Sequence, residues 1–346
     1  MRVLATGTEG YIGVFLPQVL MVRGHEVIGV DTGFHNAGWL YNGVRRLPKT
    51  LLKDLRTLTP EDLEGVDAVV HMAELSNDPV GQLNPEITYE INHQGSIRLA
   101  KLAKAAGVER FVYTSSCSVY GVATESQVDE ESPVNPQTAY AVCKTLVERD
   151  VAELAEDGFS PTFLRNATAY GASPRMRFDI VLNNLCGLAW TIGEIRMESD
   201  GTPWRPFVHI LDICKAIALT LEAPREAVHG EIFNVGDSRS NYQVRDIAEI
   251  VAGEFPDCRL TFAAEAGPDN RSYRVSFDKI ATKLPAFSCE WDAERGARQL
   301  HEVFRTIEMT DETFNFRGFT RLKQIQYLLG TRQIDEDFYW QLPCAS

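Results

Sequence analysis

The chain has 346 residues, 44% of them hydrophobic and 24% charged, which excludes a disordered protein and favours a globular one. A formal net charge of −14 and a pI near 5.0 argue against a nucleic-acid-binding surface. No apolar run approaches the length of about 18 residues that a transmembrane helix needs, so we expect no membrane association.

The cysteines indicate the redox environment of the protein. Their number is odd and they form no C-x-x-C pair, which favours reduced thiols and a cytoplasmic protein. They stand at positions 117, 143, 186, 214, 258, 289 and 344. No signal peptide precedes the first predicted strand, which begins at residue 2. No group of His, Cys and Asp has the spacing of a zinc site, so we expect no metal.

The first apolar run leads into a glycine turn at Gly7, Gly10 and Gly13. This G-x-x-G-x-x-G spacing is typical of a dinucleotide site. The first glycine permits a tight turn, the second lets the backbone approach a pyrophosphate, and the third lets the following helix pack on the strand. The N-terminus of that helix would offer N–H groups to the phosphates. For this motif alone, a plain glycine turn is the alternative.

A second apolar run, residues 27–31, ends in Asp31, 18 residues after Gly13. At this distance an acidic residue binds the hydroxyls of an adenosine ribose. Thr32 follows, and no arginine stands beside it to accept a 2′-phosphate, so NAD is favoured over NADP. The alternative for Asp31 is an ordinary turn residue at the end of a strand.

The first half of the chain alternates predicted strands and helices, which predicts a parallel, doubly wound sheet of Rossmann type. The predicted strands are 66–72, 111–115 and 162–165, and the predicted helices are 85–106 and 138–157. After about residue 166 this alternation of strands and helices ends. We expect strand-like 207–210 and 232–235, on either side of a helix at 211–223, to return to the sheet, and further helices near 243–255 and 292–308.

The predicted fold class is therefore α/β, a doubly wound parallel sheet with a smaller, discontinuous α/β substrate-binding domain. We expect an NAD-binding domain from residues 1–166 plus 207–236. Residues 167–206 plus 237–346 would form the second domain, which binds a nucleotide sugar if the resemblance described below holds.

A candidate catalytic group follows the nucleotide motif. Tyr140 and Lys144 are four residues apart on a predicted helix and share one face. The lysine cation would lower the phenol pKa, so Tyr140 could exchange a sugar hydroxyl proton near neutral pH. The serine cluster 115–118 stands at the end of a predicted strand, where α/β sheets place their ligands. A Y-x-x-x-K spacing alone is common by chance. The catalytic interpretation therefore depends on the nucleotide motif and the serine cluster that precede it.

These motifs together resemble the NAD-dependent nucleotide-sugar epimerase/dehydratase family of extended short-chain dehydrogenases/reductases. The matching residues run from residue 3 to about 280. They are Gly7–Gly13, Asp31, Asp54–Leu55, His71–Ala73, Asn92, Ser115–Gly121, Tyr140, Lys144, Leu164–Gly171, Asn184–Leu185, Trp204–Ile210 and Arg271.

The resemblance implies catalytic roles for three residues. Tyr140 would deprotonate the sugar 4-hydroxyl while hydride passes to NAD, Ser116 would assist it and contact the substrate, and Lys144 would also hold the nicotinamide ribose. It further implies cofactor contacts along Gly7, Gly10, Tyr11, Ile12, Gly13 and Asp31. Asp54 and Leu55 would contact the adenine, and Ala73 and Asn92 would line the cofactor channel.

The resemblance also implies substrate contacts. Thr168 stands where many epimerases have an asparagine that touches the sugar. Asn184, Arg205 and Arg271 match positions that hold the diphosphate, a task for which the arginine fork is suited. Asn92 as a helix cap, Arg205 as a surface residue and Arg271 in a structural salt bridge are the alternatives.

The departure from the family pattern lies after Ser116. Sugar 4,6-dehydratases carry an Asp-Glu pair or a similar acidic group there, whereas this chain has Cys117 and Ser118. Small, weakly acidic residues fit a 4-epimerase, which needs hydride removal, rotation of the 4-keto sugar and hydride return. A thiol of lowered pKa could instead act as an acid/base on a neighbouring carbon, whereas an inert buried Cys117 is the plainer interpretation.

The leading hypothesis is a nucleotide-sugar 4-epimerase. The alternatives are a dehydratase or 4-dehydrogenase/ketoreductase that uses Cys117, and a non-catalytic dinucleotide sensor. In relatives, the helices matching 85–106 and 138–157 form a two-fold four-helix interface, so we expect a homodimer. The apolar residues of these helices suffice for a core face and an outer stripe, and they are Ile97, Leu99, Leu102, Leu146, Val147, Val151 and Leu154.

Overall fold

The computed structural model describes residues 1–122, 126–197, 199–263 and 271–341. Its strands are β1 (Arg2–Thr6), β2 (Glu26–Asp31), β3 (Lys49–Leu52), β4 (Ala68–His71), β5 (Arg110–Ser116), β6 (Ser160–Asn166), β7 (Thr168–Tyr170), β8 (Glu194–Met197), β9 (Trp204–His209), β10 (Ile232–Val235), β11 (Asn241–Gln243) and β12 (Arg259–Phe262). Within these ranges, seven strands form a parallel sheet in the order β10-β6-β5-β4-β1-β2-β3. The predicted α/β class and doubly wound sheet are confirmed.

Helices cover both faces of this sheet. They are α1 (Leu16–Val22), α2 (Asp78–Leu83), α3 (Pro85–Thr88), α4 (Ser96–Ala105), α5 (Ala139–Ala152), α6 (Val181–Ile192), α7 (Ile210–Glu222), α8 (Arg225–Val228), α9 (Val244–Glu254), α10 (Asp278–Lys283), α11 (Ala293–Thr306), α12 (Asp311–Asn315) and α13 (Arg321–Gly330). In β1, Val3 and Ala5 join the core beneath α1 and α7, whereas Leu4 joins the core beneath α4 and α5. Side chains of a strand alternate between faces, so one apolar run supplies two cores.

Two strand predictions have different outcomes. The run 232–235 joins the main sheet as β10, beside β6. The expectation that 207–210 also returns to this sheet is wrong. It belongs to β9, which pairs with β7 and β11 in a separate three-stranded sheet, and Ile210 already begins α7. A buried apolar run does not specify its partner strand. The division into two domains stays a prediction.

The helix predictions differ from the structure mainly at helix ends. The predicted helix 138–157 ends at Ala152, ahead of Gly158. The predicted helix 85–106 consists of α3, a wider helical turn over Tyr89–Gly95, and α4. After the glycine turn, the chain passes through further turns before α1 begins at Leu16.

The C-terminal segment, defined here as Arg321–Trp340, packs against the first strands of the main sheet. The Gln324 side chain donates to the Phe34 carbonyl at 3.0 Å, and the Trp340 indole donates to the Thr32 carbonyl at 2.7 Å. The segment therefore lies beside the end of β2, although nearly 300 residues separate them in sequence.

Two further expectations concern thiols and membranes. The six described cysteines are unpaired, and Cys344 lies outside the described residues. No helix in the described ranges has the length and apolar character to cross a bilayer.

Candidate active site

One cavity of about 510 Å³ opens at the carboxyl ends of the central strands. The glycine turn after β1, the segment after β4, the end of β5 and the first turns of α5 all contribute to its lining. In open α/β sheets this edge is where ligands bind, because the parallel strands all direct their following loops there.

The glycine turn leaves room that a side chain would fill. Gly7 has φ of +80°, and a Cβ there would lie 3.0 Å from the backbone nitrogen of Ala73. A Cβ on Gly13 would collide with the Gly7 carbonyl oxygen. Gly10 donates to the same carbonyl at 3.1 Å, which closes the turn. The turn therefore presents bare backbone to the cavity, as a pyrophosphate site requires.

Asp31 stands at the end of β2 and lines the same cavity. Its carboxylate accepts backbone N–H bonds from Glu9 at 3.0 Å and Gly33 at 2.8 Å. Burial raises the pKa of Asp31, and the two backbone donors oppose that rise. The carboxylate is thus fixed in place with lone pairs left for ribose hydroxyls, and together with the bare glycine turn it fits NAD.

The other expected cofactor residues divide into two groups. Tyr11, Ile12, Asp54, Leu55 and Ala73 line the cavity. Asn92 lies outside its lining. The buried amide of Asn92 accepts from the Leu75 nitrogen at 2.8 Å and donates to the Leu75 carbonyl at 3.1 Å. It therefore holds the segment after β4, which itself forms one wall of the cavity.

The candidate catalytic residues come together. Ser116 ends β5, Tyr140 and Lys144 lie on α5, and all three line the cavity. The Thr138 hydroxyl caps α5 by accepting from the Ala141 nitrogen at 3.2 Å. The Lys144 ammonium lies 5.4 Å from the centroid of the Tyr140 ring and donates to the Thr114 carbonyl at 2.5 Å.

A buried carboxylate, Glu74, pairs with this lysine and was not predicted. Its Oε2 lies 2.6 Å from Lys144 Nζ, and its Oε1 accepts from the Tyr113 hydroxyl at 2.5 Å. Burial raises the pKa of Tyr140, Lys144 lowers it, and Glu74 raises it further, with a net upward shift. Burial lowers the pKa of Lys144, but Glu74 and Tyr140 outweigh burial and the net shift is upward. Glu74 thus controls how strongly Lys144 can favour the phenolate.

Cys117 lines the cavity but is 1% exposed. Its Sγ donates to the Arg165 carbonyl at 3.2 Å, and burial raises the thiol pKa well above its ordinary value. The nearby Arg165 guanidinium lowers that pKa, but it is bonded to Glu148 at 2.7 Å and to the Tyr120 hydroxyl at 3.0 Å. The environment therefore favours a neutral thiol.

Three of the expected substrate residues, Thr168, Arg205 and Arg271, line the cavity. Arg271 pairs with Asp78 at 2.6 Å, and the Arg205 guanidinium lies 5.4 Å from the Tyr273 ring centroid. Asn184 lies outside the lining and donates to the Phe178 carbonyl at 2.9 Å. The structure therefore brings the two arginines to the cavity but not Asn184.

The cavity lining also includes charged residues that were not predicted from the sequence. Arg177 donates to Asp179 at 2.9 Å, Asp179 accepts from the Asn77 amide at 2.8 Å, and Arg321 of the C-terminal segment lines the cavity beside them. The R-x-D pattern at 177–179 was a local signal for the first pair. Within the described residues, no group of three His, Cys, Asp or Glu side chains could hold a metal ion.

Comparison with known proteins places the chain in a family. The model of the NAD dependent epimerase/dehydratase family matches residues 3–236. The UDP-glucose 4-epimerase of Lactobacillus helveticus is 29% identical over 308 residues, covering 82% of this chain and 91% of the relative. The UDP-glucose 4-epimerase of Bacillus subtilis is 26% identical over 331 residues, covering 87% and 94%.

Two solved structures are also similar. MoeE5 in complex with UDP-glucuronic acid and NAD is 26% identical with a TM-score of 0.76, covering 88% of this chain and 99% of that one. TunA, an NAD-dependent NDP-hexosamine 5,6-dehydratase, is 25% identical with a TM-score of 0.76, covering 88% and 98%.

The fold and the cavity define an extended short-chain dehydrogenase/reductase. The chain belongs to the NAD dependent epimerase/dehydratase family, it is an enzyme, and its cofactor is NAD.

Proposed function

We propose that the protein is a nucleotide-sugar 4-epimerase that works through a transient 4-keto sugar. The observation that carries this proposal is that Ser116, Tyr140 and Lys144 line one cavity together with the glycine turn and Asp31. A complete proton-transfer group next to a dinucleotide site serves redox chemistry at a carbinol carbon, and a sensor would have no use for it.

The residues have distinct roles in this reaction. NAD, when bound, would supply the acceptor and donor of the C4 hydride. Tyr140 takes the proton of the 4-hydroxyl, and Ser116 donates a hydrogen bond to the same oxygen. The Lys144 cation favours the phenolate form of Tyr140. After the ketone turns its other face to the cofactor, Tyr140 returns the proton and the C4 configuration is inverted.

Arg205 and Arg271 would bind the diphosphate of the substrate. Arg271 is paired with Asp78, whose second oxygen accepts from the Thr138 hydroxyl at 2.6 Å. This pairing holds the guanidinium at the cavity wall, and the planar fork of a guanidinium suits phosphate oxygens. Thr168, at the start of β7, would face the sugar.

The role of Cys117 distinguishes this proposal from the second candidate function, a 5,6-dehydratase. The similarity to TunA and the position of the thiol in the cavity lining favour the dehydratase. The thiol bond to the Arg165 carbonyl and the raised thiol pKa favour the epimerase, because a neutral thiol is a weak base. Simple 4-epimerisation requires no proton transfer at a carbon atom.

One experiment distinguishes the two. The purified enzyme is incubated in D₂O with UDP-glucose and a panel of related nucleotide sugars, and the products are analysed by NMR. We expect the 4-epimer without deuterium at C3, C5 or C6, and a loss of at most a few-fold in rate for Cys117→Ala. Deuterium at those carbons, or loss of water from the sugar, would instead support the dehydratase.

A further inference from the structure

Arg321 is a buried cation of the cavity wall. It begins α13 in the C-terminal segment, is 4% exposed and lines the cavity. Its backbone N–H donates to Asp179 at 3.1 Å. Within the described ranges, its guanidinium makes no hydrogen bond and no ion pair. A buried guanidinium is costly unless an anion satisfies it, so this arrangement indicates an anionic ligand.

The neighbouring charges do not satisfy it. Arg177 is paired with Asp179 at 2.9 Å, and Arg175 is paired with Glu9 at 2.6 Å. Burial and Arg177 lower the pKa of Arg321 to about 9, and Asp179 and Asp31 offset this only in part. Arg175 and Arg177 thus each have a paired carboxylate, whereas Asp179 and Asp31 act on Arg321 without forming an ion pair with its guanidinium within the described residues.

The position of Arg321 shows which anion fits. Asp31 is among its electrostatic neighbours, and the pKa of the partly buried His35, which follows β2, is lowered first by desolvation and then by Arg321. The glycine turn forms part of the same cavity lining. Gln324 of the same helix donates to the Phe34 carbonyl just after β2, so Arg321 lines the cavity on the side of Asp31, the candidate ribose residue. Arg205 and Arg271, which neighbour Tyr273 and Asp78, are the cations proposed for the substrate.

We propose that Arg321 binds the pyrophosphate of NAD, so that the C-terminal segment completes the cofactor site. The segment is held in place by the Gln324 bond to Phe34 and the Trp340 bond to Thr32. Its Tyr339 ring also lies 3.8 Å from the Arg56 guanidinium, and Arg56 pairs with Asp54.

The test measures cofactor binding rather than turnover. Purified holoenzyme is mixed with excess fluorescent etheno-NAD, and the release rate of bound NAD is followed for wild type, Arg321→Gln and Arg321→Lys. Lys323→Gln removes one charge from the exposed side of the same helix and is the matched control. We expect release to be about 10- to 100-fold faster in Arg321→Gln, the range for one lost charged hydrogen bond, and intermediate in Arg321→Lys. Lys323→Gln should match wild type.

Competing ligands assign the loss to the pyrophosphate. ADP-ribose, which carries the pyrophosphate, should bind Arg321→Gln more weakly than wild type, whereas adenosine should bind both alike. Unchanged NAD release, or equal losses for adenosine and ADP-ribose, would overturn the proposal. Weaker UDP binding with normal NAD release would place Arg321 in the substrate site instead. The inference depends on the NAD cofactor alone, so a negative result in the epimerase assay would leave this test intact.

Discussion

At the scale of single residues, the site is defined by charges that compensate one another in a buried space. Lys144 is held between the Thr114 carbonyl and the Glu74 carboxylate and faces the Tyr140 ring. A lysine without a counterion would lower the phenol pKa strongly, and Glu74 moderates that effect. Glu74 therefore both helps to hold the lysine in place and limits how far the lysine lowers the phenol pKa.

Replacing the proposed proton acceptor tests the chemistry directly. Tyr140→Phe should lower turnover by about 10²–10⁴-fold, because the 4-hydroxyl proton loses its acceptor. NAD should stay bound, as absorbance of the purified protein would show. The control is Tyr327→Phe, an exposed tyrosine on α13, which should behave as wild type. Near-normal turnover of Tyr140→Phe would mean that another base carries the reaction.

Replacing the lysine counterion tests the electrostatics. Glu74 raises the pKa of Tyr140, so Glu74→Gln should lower that pKa. The reaction needs the phenolate, and kcat/KM falls as pH drops below the phenol pKa. The acid limb of the kcat/KM profile should therefore move to lower pH in Glu74→Gln. Exposed Glu86→Gln on α3 is the control and should leave the limb in place. A shift to higher pH would contradict this assignment.

The residues that sequence could predict are those in local motifs. The glycine turn, Asp31 and the Tyr140–Lys144 pair were predicted because neighbouring residues carry the pattern. Glu74 and Arg321 were missed because their surroundings come from distant parts of the chain, as with the Arg321 backbone nitrogen and the Asp179 carboxylate, 142 residues apart. Asn92 and Asn184 were expected at the ligands, but their side chains bond backbone carbonyls, a choice that only the folded geometry decides.

At the scale of elements, the proposed diphosphate site joins segments that are distant in sequence. The Tyr273 nitrogen donates to the Trp204 carbonyl at 3.2 Å, and the Trp204 nitrogen donates to the Ser272 hydroxyl at 3.1 Å. The segment that carries Arg271 is thereby tied to β9, which carries Arg205. Strand β9 was predicted as a strand, but its sheet was not, because strand pairing depends on partners that periodicity does not specify. Its place in the small sheet brings Arg205 to the cavity.

This arrangement predicts a binding effect. Arg205→Ala and Arg271→Ala should each raise KM for the nucleotide sugar by about 10-fold or more, since a charged hydrogen bond to phosphate is lost. The value of kcat should change little, because these groups bind substrate and transition state alike. Exposed Arg259→Ala on β12 is the control and should leave KM unchanged. A fall in kcat at constant KM would place the arginines in the chemical step.

At the scale of the whole molecule, the faces of α4 and α5 that point away from the sheet bear on assembly. Leu99, Val147 and Val151 are fully buried in the core beneath these helices. The remaining apolar residues of the predicted stripe are only partly buried, and these are Ile97, Leu102, Leu146 and Leu154. Ile97, Leu102 and Leu154 pack against this core, and all four side chains keep part of their apolar surface accessible, which in water favours a partner surface.

We therefore predict a homodimer in which α4 and α5 of one protomer pack against the same helices of the other. Light scattering at micromolar concentration should give twice the mass of the 38.7 kDa chain. Leu146→Asp places a charge in the stripe and should yield monomers, because an unpaired charge is not tolerated in an apolar interface. Val22→Asp, on the exposed end of α1, removes a larger exposed apolar surface elsewhere and should leave the dimer intact. A monomeric wild type would rule out this assembly, and a Val22→Asp monomer would move the interface to α1.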